Sequence, residues 1–274
     1  MPSLKSTLQH LKLLKTQDFT LPSLFIGHGS PMNAVEENEI TKNWQEIGKN
    51  IPTPKAVLCI SAHWVTSGTT EVTTSETLKT IYDFYGFPPE LYNLNYDVQG
   101  SPQFPKETQN LVQTPKILWN DEWGIDHGAW LVLIQMYPEK NIPVYQLSLD
   151  YGKPFSFHLE LWKHLRDLRK KWVLIIGSGN LVHNLGALNW NSNAPYDWNR
   201  EFDTKATQFI NERNFEALTK RENFWNTFSL AHPSYDHYLP LLYFAGTIWT
   251  DENIISFNEE FQMGSLSMKS FMAY

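Results

Sequence analysis

Four short runs constrain most strongly what this chain can fold into. Leu24–Gly27, Ala56–Ala62, Val144–Leu149 and Val173–Ile176 are rich in Val, Ile and Leu and do not alternate strictly with polar residues. A strand with one wet face alternates; a strand covered on both faces does not. Between the runs lie helical patterns at Glu39–Gly48, Pro105–Val112, Ala129–Met136, Phe155–Lys171 and Phe202–Glu212. Strand–helix alternation of this kind predicts an α/β fold, a central mainly parallel or mixed sheet with helices on both faces. Thr69–Thr74 and Ile254–Phe257 read as added strands, antiparallel and near an edge. No internal repeat or low-complexity linker divides the 274 residues. Asn189–Asn199 is the best candidate boundary but is short, so residues 1–274 are expected to form one catalytic domain.

Composition narrows the partners. A net charge of −7 without a Lys/Arg-rich block argues against nucleic acid or an anionic membrane as the main partner. No segment approaches the roughly eighteen consecutive apolar residues of a membrane span, and the expectation is a soluble cytoplasmic protein. Cys59, the only cysteine, lies in the apolar run "AVLCISA" and reads as a buried thiol. Eleven tryptophans and 14% aromatic residues imply large buried surfaces or an aromatic pocket.

The histidines carry the chemistry. His28 follows the first run, His63 ends the second in "ISAHW", and His127 lies in "GIDHGAW" at a helix start. His183 follows the fourth run through "GSGNLVHN", and His237 in "SYDHYLPLLY" opens another helical stretch. In open α/β sheets the carboxyl ends of strands and the adjoining helix starts share one edge, where ligands bind. Five histidines from distant segments are therefore expected to converge there. One histidine after a strand is usually structural; five such placements point to a metal or acid–base site. His10, His158 and His164 sit on polar helical patterns and read as solvated, and His232 is not assigned. "GHGSP" and "GSGN" fit neither a P-loop nor a dinucleotide fingerprint.

Eight ordered blocks give the chain a family resemblance: "FIGHGSPMNAVEEN", "ISAHW", "IYDFYGFPPELY", "WGIDHGAW", "MYPEKNIPVYQLSLD", "GSGNLVHNL", "HYLPLLY" and "MGSLSM". From about Phe25 to Met268 it resembles the DODA-type extradiol aromatic ring-opening dioxygenases, the bacterial 4,5-DOPA extradiol dioxygenases of the LigB-like class III superfamily. The resemblance implies one mononuclear non-haem metal per chain, Fe(II) or Zn(II), with a small aromatic diol and O₂ as substrates. His28, His63 and His237 would be metal ligands. His237 would stand near where other class III enzymes supply a glutamate, leaving three neutral ligands and making zinc as plausible as iron. Asp236 would orient His237. His183 would act as catalytic base or fourth ligand, and His127 as the catalytic proton donor. Ser30, Trp64 and Tyr238 are candidate substrate-binding residues, with Phe84, Tyr85 and Phe87 of "DFYGFP" shaping the pocket. Ser30 and Asn33 could equally cap the next helix. The alternative function is a zinc-dependent hydrolase using the same histidines to activate water; a non-catalytic metal-binding protein is a second rival.

Overall fold

The structure is a computed structural model that describes residues 2–13, 19–112 and 114–274. Six strands form its main sheet: β1 (Ser23–Gly27), β2 (Ala56–Ser61), β3 (Val144–Gln146), β4 (Val173–Gly179), β5 (Ile254–Phe257) and β6 (Ser270–Ala273), in the spatial order β5-β6-β1-β4-β2-β3. β1, β4, β2 and β3 run parallel to their neighbours. β6 lies antiparallel to β1, and β5 antiparallel to β6 at the edge, which makes the sheet mixed.

The longer helices are α1 (Leu4–Leu13), α2 (Glu39–Asn50), α3 (Phe104–Leu111), α4 (His127–Met136), α5 (Phe155–Leu165), α6 (Asp197–Asn211) and α7 (Leu239–Gly246). Strand side chains divide between two cores. Leu24, Ile26, Val57 and Ile176 pack with Trp44 of α2 and Trp130 of α4 on one face. Phe25, Leu58, Ile60 and Ile175 pack with Trp162 of α5 and Phe244 of α7 on the other. The result is one α/β domain with a helix layer on each face, as the unbroken apolar runs predict. α7 ("LPLLYFAG") has all eight residues buried and α4 ("HGAWLVLIQM") eight of ten. Their sequences lack a polar stripe because nothing on either helix faces much water.

Three expectations need correction. The run Val144–Leu149 breaks after Gln146, and Leu149–Asp150 pairs instead with Val65–Thr66. Thr70–Thr73 pairs parallel with Ile117–Asn120, outside the main sheet, rather than antiparallel at its edge. The helix from Phe155 tightens into 3₁₀ turns at Arg166–Lys171 and stops at Trp172, whose backbone is left-handed (φ 68).

Arg169, in those turns, is fully buried and ties segments together. Its guanidinium donates to the carbonyls of Leu21 (2.7 Å), Thr247 (2.9 Å) and Ala273 (3.3 Å), and pairs with both oxygens of Glu252. One side chain thus joins the entry to β1, the end of α7 and the last residue of β6.

The candidate metal centre and its cleft

The parallel strands end level with one another. Gly27 of β1 pairs with Gly179 of β4, and Ser178 of β4 pairs with Ser61 of β2. His28 leaves β1 and donates its backbone N–H to Gly179 (2.9 Å), and His63 follows two residues after β2. His127 is the first residue of α4, and His183 lies in a short strand paired with Leu266–Ser267. His237 precedes α7. All five line one cleft of about 560 Å³, a size suited to a small molecule.

Two glycines allow these elements to close up. A Cβ on Gly128 would stand 2.5 Å from Ser61 Oγ and 2.8 Å from the His63 ring, so α4 could not then bring His127 against the cluster. A Cβ on Gly179 would stand 2.3 Å from the His237 carbonyl oxygen, where the chain entering α7 crosses β4. "GSGN" is therefore a packing device rather than a phosphate cradle.

Hydrogen bonds fix the tautomer of two rings, and a carboxylate contact favours that of a third. Ser178 Oγ donates its single proton to the Gly128 carbonyl (2.5 Å), so His28 Nδ1, 3.0 Å away, must be the donor to it. Asn180 Nδ2 donates to the Ser267 carbonyl (3.1 Å), which leaves Oδ1 to accept from His237 Nδ1 (3.2 Å). His63 Nδ1 faces Asp83 Oδ2 at 3.3 Å, and a carboxylate only accepts. Each ring therefore turns an unprotonated Nε2 away from its partner. The Nε2 atoms of His28 and His63 stand 3.2 Å apart, two lone pairs with no proton between them. One ring nitrogen from each of His28, His63 and His237 lies within 4.8 Å of the other two. Tetrahedral zinc with bonds of 2.0–2.1 Å spaces its nitrogens about 3.3–3.4 Å apart, so three neutral imidazoles at this separation fit one divalent cation.

Burial keeps the rings neutral. Removal from water, reinforced by the neighbouring histidines, lowers His28 and His237 far below the usual imidazole range. Burial and the nearby His127 bring His63 down to about 3, although Asp83 opposes this. His183, stacked on His237 with 3.5 Å between ring centroids and 3° between planes, is brought down to about 4 by burial.

Asp83, in "DFYGFP", organises the other side of the site. Oδ1 accepts the backbone N–H of His127 (2.9 Å) and lies 3.0 Å from its Nδ1, while Oδ2 faces His63. Burial alone would raise this carboxyl, but its bonds and charge interactions with His127 and His63 outweigh that and hold it below its ordinary value. Asp126 is buried beneath. It caps α4, accepts from Ser61 Oγ (2.5 Å) and Gln146 Nε2 (2.8 Å), and is raised by burial and by the charge of Asp83.

The other expectations divide. Ser30 lines the cleft and also caps the 3₁₀ turn Pro31–Ala34, accepting from the Met32 N–H. Asn33 is buried and braces the His28 carbonyl (3.0 Å). Phe84, Tyr85 and Phe87 line the cleft as expected. Trp64 does not line it: its ring stacks on Trp123 at 5.4 Å. Tyr238 is fully buried in the core, with its hydroxyl on the Leu218 carbonyl (2.8 Å), so it is not positioned to bind substrate. Asp236 lies 3.9 Å from His237 Nε2, and Asn180 rather than Asp236 orients that ring. His158 is buried against the Tyr243 hydroxyl (2.9 Å), contrary to the solvated reading, whereas His10 and His164 are exposed. His232 is buried and bonds the Leu181 carbonyl. Cys59 is buried as expected.

Residues 22–268 match the family described as the catalytic LigB subunit of aromatic ring-opening dioxygenase. The chain is 41% identical over 254 residues to the 4,5-DOPA dioxygenase extradiol of Escherichia coli K12, covering 91% of this chain and 93% of that protein. It is 34% identical over 232 residues to the 4,5-DOPA dioxygenase extradiol of Beta vulgaris, covering 82% of this chain and 86% of that one. Its fold matches the crystal structure of an uncharacterized Escherichia coli K12 protein with a TM-score of 0.78 at 36% identity, covering 92% of this chain and 99% of the other.

Proposed function

The chain belongs to the family of the catalytic LigB subunit of aromatic ring-opening dioxygenases, and from that premise we propose how its histidine cleft works and what it acts on. It is an extradiol ring-cleaving dioxygenase, an oxidoreductase that adds O₂ to an aromatic diol. The observation that carries the proposal is the set of three Nε2 lone pairs, each turned inward by a partner on Nδ1. His28, His63 and His237 would hold one divalent metal. When bound, that metal supplies redox chemistry, if iron, and charge stabilisation for the deprotonated diol.

The remaining residues divide the proton work. His183 is desolvated and neutral, so it is the proton acceptor for the second hydroxyl of the diol. His127 lines the cleft at the start of α4 with the Asp83 carboxylate 3.0 Å from Nδ1, so it is the group that delivers the proton needed when the ring opens. Asp83 positions both His127 and the ligand His63. Among the described residues the three inward-facing ligands include no carboxylate, so the site would keep the full charge of its metal, and both Fe(II) and Zn(II) suit the donors. Catechols of the DOPA type, named in the relatives, are the first substrates to try.

Metal content of single variants tests the assignment. Wild type is expected to hold one metal per chain. His28→Ala, His63→Ala and His237→Ala are expected to lose it, while His127→Ala keeps it and turns over about 10²–10⁴ times more slowly. Full occupancy in His237→Ala, or wild-type turnover in His127→Ala, would contradict the roles given.

A further inference from the structure

A second group of metal-type donors sits beside the first and shares His63 with it. His63, Asp83 and His127 each offer one ligand atom, and these atoms lie within 4.8 Å of one another. All three residues line the cleft. Asp83 Oδ2 stands 3.3 Å from His63 Nδ1, and Oδ1 stands 3.0 Å from His127 Nδ1. Donors on tetrahedral zinc are spaced about 3.3–3.4 Å apart, so both separations suit a shared cation. A proton does not account for the contact with His127. That residue is 5% exposed, yet its Nδ1 makes no hydrogen bond: Asp83 Oδ1 is near enough but lies off the ring's N–H direction. A ring nitrogen and a carboxylate oxygen that approach closely without aligning are placed like two ligands of one ion. The carboxylate is negative and, among the described residues, no lysine or arginine lines the cleft to repel a cation.

We propose that His63, Asp83 and His127 form a second, inhibitory site for a divalent cation of the zinc class. The inhibition rests on the dioxygenase reading, in which His127 delivers the proton for ring opening. Two imidazoles and a carboxylate are donors that suit zinc. A zinc ion there takes the His127 Nδ1 lone pair and the Asp83 charge, and the His63 ring bridges it to the first metal. In bridging, His63 releases its Nδ1 proton to water. His127, with Nδ1 on zinc, can no longer become an imidazolium and so cannot carry the proton that ring opening needs. The second site is the weaker, because two cations share one ring and repel each other. It fills only from free zinc in excess, so protein purified without added zinc carries the single metal proposed above.

The test dialyses the iron-loaded full chain against rising free zinc, with iron content, zinc content and oxygen uptake on a catechol measured together. The expected result is one zinc gained per chain with the iron retained. Over the same range kcat falls by about 10²-fold while KM for the catechol is unchanged, and removing the free zinc restores the rate. His127→Ala is expected to keep its iron, which shows that it is folded, and to gain no zinc. No zinc gained by wild type, zinc that displaces iron one for one, or a second equivalent bound as fully by His127→Ala would overturn the site and leave the dioxygenase reading intact. Zinc gained with no loss of rate would overturn the inhibition. Absence of oxygen uptake by iron-loaded wild type before any zinc is added would overturn the dioxygenase reading and, with it, the inhibitory role.

Discussion

Asp83 shows how much one residue can govern here. Its two oxygens face the His63 and His127 rings at once, and it also accepts the backbone N–H of His127. Asp83→Asn keeps the size but presents one acceptor and one donor, so one imidazole must flip or lose its partner. Partners of this kind are worth about 10–100-fold in metal affinity or activity. We expect metal affinity and kcat to fall together in Asp83→Asn, measured by competition with a chelator and by turnover; an unchanged affinity would mean that His63 needs no such partner. The residue was visible in "DFYGFP", but that block suggested only aromatic walls. Nothing in a single sequence says that a loop aspartate will reach two distant histidines. Neighbouring positions misled in a simpler way. Trp64 adjoins His63 and Tyr238 adjoins His237, yet consecutive side chains diverge, so the neighbour of a cleft histidine points away from the cleft.

At the scale of elements, the fold was legible where the signal is local. The parallel strands announced themselves as unbroken apolar runs, and the histidines after β1, β2 and β4 follow from the strand ends. β6 was missed: "SFMA" is four residues, and it is a strand because β1 and β5 flank it rather than because of its own pattern. His158 was legible but misread. Phe155, His158, Leu159 and Trp162 recur at helical spacing and share one buried face, so the periodicity already placed this imidazole inside. Long-range ties were not legible, and Arg169 is the clearest of them. Arg169→Met would leave Glu252 with its charge unpaired, and breaking such a pair costs about 3–5 kcal/mol. We expect a lowered urea midpoint in Arg169→Met and partial recovery in the double variant that also carries Glu252→Met. A single variant as stable as wild type would show that the clamp contributes nothing.

For the whole molecule, buried neutral imidazoles make stability depend on pH. Burial brings His158 down to about 4 and His232 to about 3, below the unfolded value near 6.5. The unfolded chain therefore binds these protons first as pH falls. Stability is full above about pH 6.5 and declines towards pH 4–3, at up to about 1.4 kcal/mol per pH unit for each group. Urea midpoints of metal-stripped protein are expected to be lower at pH 5 than at pH 7.5, and His158→Gln to shrink that difference; an identical difference in the variant would remove His158 from the account. No helix among the described residues is long and apolar enough to cross a membrane, and the six-stranded sheet with its two cores is a rigid base for the cluster at one edge.

The central claim, that three inward-facing imidazoles hold a metal on which a catechol ring is opened, is tested most directly by oxygen uptake. Metal-stripped protein would be loaded with Fe(II) under anaerobic conditions, mixed with a catechol and then exposed to air. The account predicts one O₂ consumed per catechol, a yellow ring-opened product, and loss of both in His237→Ala. No oxygen uptake with any catechol, in protein shown to hold iron, would contradict it.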